Sequence, residues 1–216
     1  MSTHGRSAWS SSIRALVVSK RLKGLLARMV LAAGAVVVGG VFWHMEVLYS
    51  LPTPVPADHR NVEVGSRITL EGKMAQPTGM PVFLHFFNPR CPCSRFNLPE
   101  VKALVRKYQD RIAFRAVVLP PDGMRYSGPQ ANSDLGMDIP VSFDRSIATA
   151  CGVYSTPQAV LIDAGGKLFY RGYCTATATN YARMAIDSLL AGTERIHPER
   201  AALLSYGCSL PNCTKD

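Results

Sequence analysis

The sequence predicts a mixed α/β domain carried behind an N-terminal apolar helix. Two continuous apolar runs, 81–87 (PVFLHFF) and 112–119 (IAFRAVVL), have the length and composition of buried strands. Between them, residues 98–111 place Val101, Leu104, Val105 and Tyr108 at helical spacing with charges on the other face. Further on, two apolar runs flank Ala164-Gly165-Gly166-Lys167, so residues 157–174 read as a hairpin. The resulting order, β-α-β-(α)-β-β-α, combines parallel strands with an antiparallel hairpin.

Taken from the N-terminus, residues 1–24 are rich in serine and basic side chains and are expected to be a disordered cytoplasmic tail. Residues 25–50 contain an uncharged run from Met29 to Trp43. Fifteen helical residues span about 22 Å, short of a hydrocarbon core of roughly 30 Å. Extension to Leu51 completes the span and brings His44, Glu46, Trp43 and Tyr49 to the interface. A cleaved signal peptide has the same grammar, but no small-x-small site follows the run. The expectation is therefore an uncleaved signal-anchor in the inner membrane, N-terminus inside, with the remainder periplasmic. Residues 51–63 carry Pro52, Pro54 and Pro56 and read as a stiff linker. Residues 64–192 form the domain, and 193–216 a cysteine-containing tail.

Within the domain, residues 67–72 (RITLEG) are a candidate short strand. Residues 120–138 read as an irregular insertion, 139–144 as a short strand and 146–153 as a brief helix. Residues 180–192 are an amphipathic helix closed by Gly192.

The net charge of +9 resembles a nucleic-acid signal until it is divided along the chain. Six basic residues precede the first acidic one, Glu46; from there on, 18 Lys and Arg face 15 Asp and Glu. No basic patch is interleaved with aromatics, so nucleic acid is not an expected partner. All six cysteines (Cys91, Cys93, Cys151, Cys174, Cys208 and Cys213) follow the anchor. On the exported side disulfides persist. Six cysteines allow 15 full pairings, and spacing does not choose among them.

The chemistry concentrates at residues 86–100, FFNPRCPCSRFNLPE. Cys91 follows a buried strand and opens a helix, where unsatisfied N–H groups and the helix dipole favour thiolate. Pro92 suits the first turn, and Arg90 and Arg95 add positive charge. This stretch resembles the thioredoxin-like superfamily, especially membrane-anchored thiol–disulfide oxidoreductases of the alkyl hydroperoxide reductase/thiol-specific antioxidant and cytochrome c maturation types. Aligned from Leu98-Pro99-Glu100, Cys91 matches the family's attacking cysteine. Cys93 falls one place early, and Ser94 stands where the resolving cysteine belongs. Residues 152–172 resemble the family's Gly-Val-x-x-Thr-Pro segment and its hairpin, so Thr156-Pro157 is expected to be a cis step beside Cys91. The resemblance covers roughly 64–192 and implies a thioredoxin-like fold.

His85, six residues before Cys91, lies where thioredoxins often carry a buried acid that handles the resolving thiol's proton. An imidazole can do similar work; the alternative is a core histidine bonded to a backbone carbonyl. Peroxidase chemistry fits less well, since Asn88 and Leu84 stand where peroxiredoxins have Thr and Pro. Paired thiolates with His85 also suit Cu(I), which makes a copper metallochaperone one alternative. A non-catalytic binding domain of the same fold is another.

Cys151 is expected to fill core. Cys174 follows Gly172, which aligns with a family glycine facing the active cysteine, so Cys174 is a second candidate to resolve Cys91. For Cys208 the expectation is a structural bridge, to Cys174 or to Cys213; the other reading is a relay or resolving thiol borne on the tail. The chain is thus expected to exchange disulfides with protein thiols and with a membrane or periplasmic electron donor or acceptor. The candidate catalytic set is Cys91, Cys93, His85, Thr156, Pro157 and Cys174. No cofactor is expected beyond the redox-active disulfide.

Overall fold

The computed structural model describes residues 6–50, 53–173, 180–193 and 207–210, with side chains described from 21 to 47 in the first of these. It divides into two units, residues 1–50 and 51–216.

The first unit is one helix, α1 (Arg6–Ser50). Residues 6–24, expected to be disordered, are helical. No proline interrupts them, and Gly24 is their only helix-weakening glycine. Residues Arg21–Val47 form a 27-residue stretch with a mean hydropathy of 2.1 in its most apolar window, long and apolar enough to cross a membrane.

The second unit is built on a five-stranded sheet in the order β3-β2-β1-β5-β6. Strand β1 (Val82–Phe87) lies at its centre, parallel to β2 (Ala113–Val118) and antiparallel to β5 (Gln158–Ile162). Beyond β2 runs the short parallel strand β3 (Val141–Ser142), and β6 (Leu168–Gly172) closes the hairpin with β5. Every residue of β1 and β5 is buried, which is why both read as unbroken apolar runs.

The two faces of the sheet hold separate apolar clusters. On one face Phe83, Phe87, Phe114, Leu161 and Val118 pack with α2 (Pro92–Tyr108), α3 (Gly128–Leu135) and α5 (Tyr181–Ala191). On the other, Val82, Leu84, Phe86, Val160 and Ile162 pack with Ile68, Met74 and α4 (Ser146–Cys151). Each fully buried phenylalanine contributes about 2–3 kcal/mol relative to exposure. His85 alternates with Phe83 and Phe87 and therefore points into the first cluster.

Several expectations are corrected. Residues 67–72 form no strand: Arg67 makes a single antiparallel bridge to Lys167, followed by a 3₁₀ turn at Gly72–Met74. Residues 120–138 are not irregular throughout, since α3 lies within them. Ser127 and Gln130 cap it reciprocally, and the chain leaves it at left-handed Gly136. The helix expected over 98–111 begins earlier, at Pro92, and ends at Tyr108.

The segment expected to be a linker also packs on the domain. Arg171 donates to the carbonyls of Val62 (2.9 Å) and Cys151 (3.0 Å) and to Asn61 Oδ1 (3.0 Å). The rings of His59 and Tyr154 meet edge-on with centroids 4.9 Å apart. Proline stiffness predicts extension but says nothing about docking. The tail likewise returns: β7 (Cys208–Ser209) pairs antiparallel with β4 (Ser155–Thr156) as a second, two-stranded sheet.

Candidate active site

The strand β1 delivers the chain into a tight turn, Asn88-Pro89-Arg90, and α2 begins immediately after it. Asn88 organises the turn. Its Oδ1 accepts from Arg90 N at 2.9 Å, its carbonyl accepts from Cys91 N at 3.1 Å, and its own N–H donates to Ser94 Oγ at 3.3 Å. Ser94 is buried, so the residue at the family's resolving-cysteine position serves as a structural acceptor here.

Cys91 is the N-cap residue of α2, with an extended backbone (φ −81°, ψ 117°), and Pro92 sits in the first turn. Its carbonyl already accepts the first helical bond, from Arg95 N at 3.3 Å. The sulfur is wholly buried and lies 3.6 Å from the carbonyl oxygen of Thr156, to which the thiol donates. The Thr156–Pro157 bond is cis, as the resemblance implies. The four sequence-named residues Cys91, Thr156, Pro157 and Cys93 thus frame one place, with Cys93 partly exposed on the first turn of α2.

The residue absent from the expected set is Cys208. Its sulfur lies 2.7 Å from that of Cys91. The register of the β4–β7 ladder sets Cys208 opposite Thr156 and Ser209 opposite Ser155. Leu210 N donates to the Tyr154 carbonyl at 3.0 Å, and Thr53 Oγ1 donates to the Gly207 carbonyl at 2.9 Å. Gly207 is required by close approach: a Cβ there would overlap the Thr156 carbonyl and crowd Pro157 Cδ. The structural bridge expected for Cys208 is therefore corrected, since its sulfur sits against Cys91. The less-favoured sequence reading, a tail-borne thiol at the site, matches the geometry. Cys174 and Cys213 lie outside the described residues.

His85 is fully buried, and neither ring nitrogen has a hydrogen-bond partner among the described residues. The carbonyl-bonded core histidine is thus not what is found, and neither is a hydrogen bond from the ring to a thiol. Its lateral neighbours are Ala116 and Ala159, whose small side chains leave room for the ring. Burial pulls its pKa down to about 4, so the imidazole is neutral near pH 7. Asn88, Asn97, Ser155 and Thr156 also carry buried polar atoms without a hydrogen-bond partner among the described residues. All lie on the segments that hold Cys91.

Cys151 belongs to the opposite face of the sheet, buried with Ile68, Met74 and Val153. Burial pushes its thiol up to about 12. Among the described residues no group of three or more His, Cys, Asp or Glu side chains is placed to hold a metal ion.

The sheet order, the mixed strand directions and the cis-proline beside an N-capping cysteine define the thioredoxin-like fold, as expected. No family model matches the sequence, and no curated protein matches it. Among solved structures, the chain is similar to a hypothetical protein from Sinorhizobium meliloti 1021, with a TM-score of 0.58 and 18% identity over 69% of this chain and 94% of that one. It is similar to an uncharacterized conserved protein from Geobacillus kaustophilus, with a TM-score of 0.57 and 22% identity over 73% and 96%. A secreted Mycobacterium tuberculosis disulfide oxidoreductase shares 17% identity over 53% and 83%, with a TM-score of 0.40. At these identities the first two likenesses concern the fold alone.

Proposed function

We propose that the chain is a membrane-tethered thiol–disulfide oxidoreductase that exchanges disulfides with protein partners on the outer side of the cytoplasmic membrane. The observation that carries this reading is the placement of two cysteine sulfurs 2.7 Å apart at a helix N-terminus beside a cis-proline strand. An apolar, helix-forming stretch at Arg21–Val47 supports the tether. Six basic residues and no acidic one precede its uncharged run from Met29 to Trp43, which supports an inward-facing N-terminus.

In this reading the Cys91 thiolate attacks a partner disulfide. A bond forms between Cys91 Sγ and one partner sulfur, and the other partner sulfur leaves as thiolate and takes a proton. The α2 N-terminus, with its unsatisfied N–H groups, faces the attacking sulfur. Thr156 and Pro157 form the wall against which the partner chain lies. His85 supplies a neutral buried ring on β1, the strand that leads to Cys91, and the electron donor or acceptor is another protein thiol or disulfide. No metal or organic cofactor enters the steps.

The test is disulfide exchange by the full chain in detergent micelles, with insulin as disulfide substrate and dithiothreitol as reductant. Cys91→Ser is expected to abolish turnover. Unchanged turnover in that variant would remove Cys91 as the attacking thiol, and no turnover in the unaltered chain would leave only a binding domain of this fold.

A further inference from the structure

Exchange through Cys91 requires a second thiol to release the partner, and the sequence offers Cys93 first. The geometry disfavours it. Cys91 is the N-cap of α2 and Cys93 lies two residues on, and side chains two apart at a helix start do not face each other. A disulfide needs Cβ atoms about 3.5–4.5 Å apart and correctly aimed. Cys208, by contrast, has its sulfur 2.7 Å from that of Cys91. Three features hold it there: the ladder register opposite Thr156, the Thr53–Gly207 hydrogen bond, and a glycine where any side chain would strike the Thr156 carbonyl.

We propose that Cys208 is the resolving cysteine for Cys91, delivered across the cis-proline strand by the tail strand β7, and that Cys93 is not. This rests on the exchange reading above. After the first step Cys91 is bonded to a partner sulfur. The Cys208 thiolate then attacks Cys91 Sγ, the Cys91–Cys208 bond forms, the bond to the partner breaks, and the partner sulfur leaves as thiolate. Over both steps the Cys91/Cys208 dithiol loses two electrons and two protons, and the partner disulfide becomes two thiols. A protein dithiol reverses the sequence and resets the pair. Cys91 is wholly buried beneath β7, so a partner reaches it only when β7 lifts, and resolution is the return of that strand. Gly207 is a positioning residue for this return.

The experiment uses the reduced full chain in micelles with oxidised glutathione. Mass spectrometry follows glutathione on the Cys91 peptide and any cross-link that replaces it. In the unaltered chain and in Cys93→Ser, glutathione on Cys91 is expected to be transient and replaced by a 91–208 cross-link. In Cys208→Ser it persists, with clearance slowed about 100-fold, the scale of losing a positioned intramolecular thiol. Gly207→Ala keeps every cysteine and, because it weakens the docking of β7, is expected to slow clearance about 10-fold while quickening glutathione uptake. Clearance at the original rate in Cys208→Ser, through Cys93 or any other cysteine, overturns the assignment of Cys208 and leaves the exchange reading standing. Absence of glutathione on Cys91 in every variant overturns both.

Discussion

Thr156 and Cys208 face one another across the ladder of β4 and β7, and the Thr156 carbonyl oxygen also lies 3.6 Å from the sulfur of Cys91. One residue thereby aligns two cysteines that are 117 positions apart. Its cis bond to Pro157 turns the chain from β4 into the central sheet. The site is consequently assembled from three separated stretches: the β1–α2 turn, the β4 strand and the tail.

Cys91 and Cys151 are both buried, yet they are expected to differ in reactivity. The Cys151 thiol, raised to about 12 by burial among apolar side chains, stays protonated throughout the physiological range. After gentle reduction, alkylation at pH 8 should label Cys91 and spare Cys151 by about 100-fold in rate. Peptide mapping by mass spectrometry measures both. Cys151→Ala should leave exchange unchanged and cost about 1–2 kcal/mol of stability through the cavity it opens.

His85 makes stability depend on pH in a definite direction. Its pKa falls from 6.5 in the unfolded chain to about 4 in the fold. Between those values the unfolded state binds the proton and the folded state does not, so stability falls as the pH drops. The slope approaches about 1.4 kcal/mol per pH unit and levels off below pH 4, for a total loss of about 3 kcal/mol. Urea denaturation at pH 7.5, 6 and 4.5 reads this loss. His85→Phe should flatten the profile across that window. If the same variant also shifts the pH profile of glutathione uptake at Cys91, the ring takes part in proton handling; an unmoved profile assigns it to the core alone.

Ser94→Cys should create a competitor. The substitution removes an acceptor for Asn88 N–H, at a cost of about 1 kcal/mol, and sets a thiol three residues after Cys91, on the same side of the helix. Oxidised protein is then expected to contain a 91–94 cross-link alongside 91–208, resolved by peptide mapping. A variant showing only 91–208 would mean that β7 outcompetes a local thiol.

Arg171 is the fastening of the segment before the domain. Arg171→Met removes hydrogen bonds to Val62, Asn61 and Cys151 and strands two carbonyl groups. The expected loss is about 2–4 kcal/mol by urea denaturation. Proteolytic cleavage within residues 53–63 should become faster at the same time.

Much of the sheet was legible in the sequence because β1, β2 and β5 are buried on both faces and therefore read as apolar runs. Cys91 was legible for a different reason: a cysteine between a buried strand and a helix has few other roles. The Thr156–Pro157 step came from the resemblance. What sequence could not reach was pairing over distance. Residues 53–63 and 207–210 carry no periodicity, and their positions follow from single contacts made by Arg171, Tyr154 and Thr53. The signal that existed for the tail was the Gly207-Cys208 dipeptide, a thiol next to a residue that tolerates close backbone approach. Helix α3 was also within reach, since Ser127 and Gln130 have capping-box spacing, but the surrounding prolines and glycines obscured it.

The hydrogen bond from Thr53 to Gly207 joins positions 154 residues apart, at the two margins of the folded unit. Anyone trimming the chain to the familiar limits of its fold, about 64 to 192, would remove both. Such a fragment would keep the sheet, Cys91, Cys93 and the cis-proline, and would pass for the whole apparatus in a gel or a spectrum. It would nevertheless lack the second sulfur and the hydroxyl that pins it. Kinetics measured on it would describe Cys91 without the sulfur that faces it, with Cys93 pressed into the role we assign to Cys208.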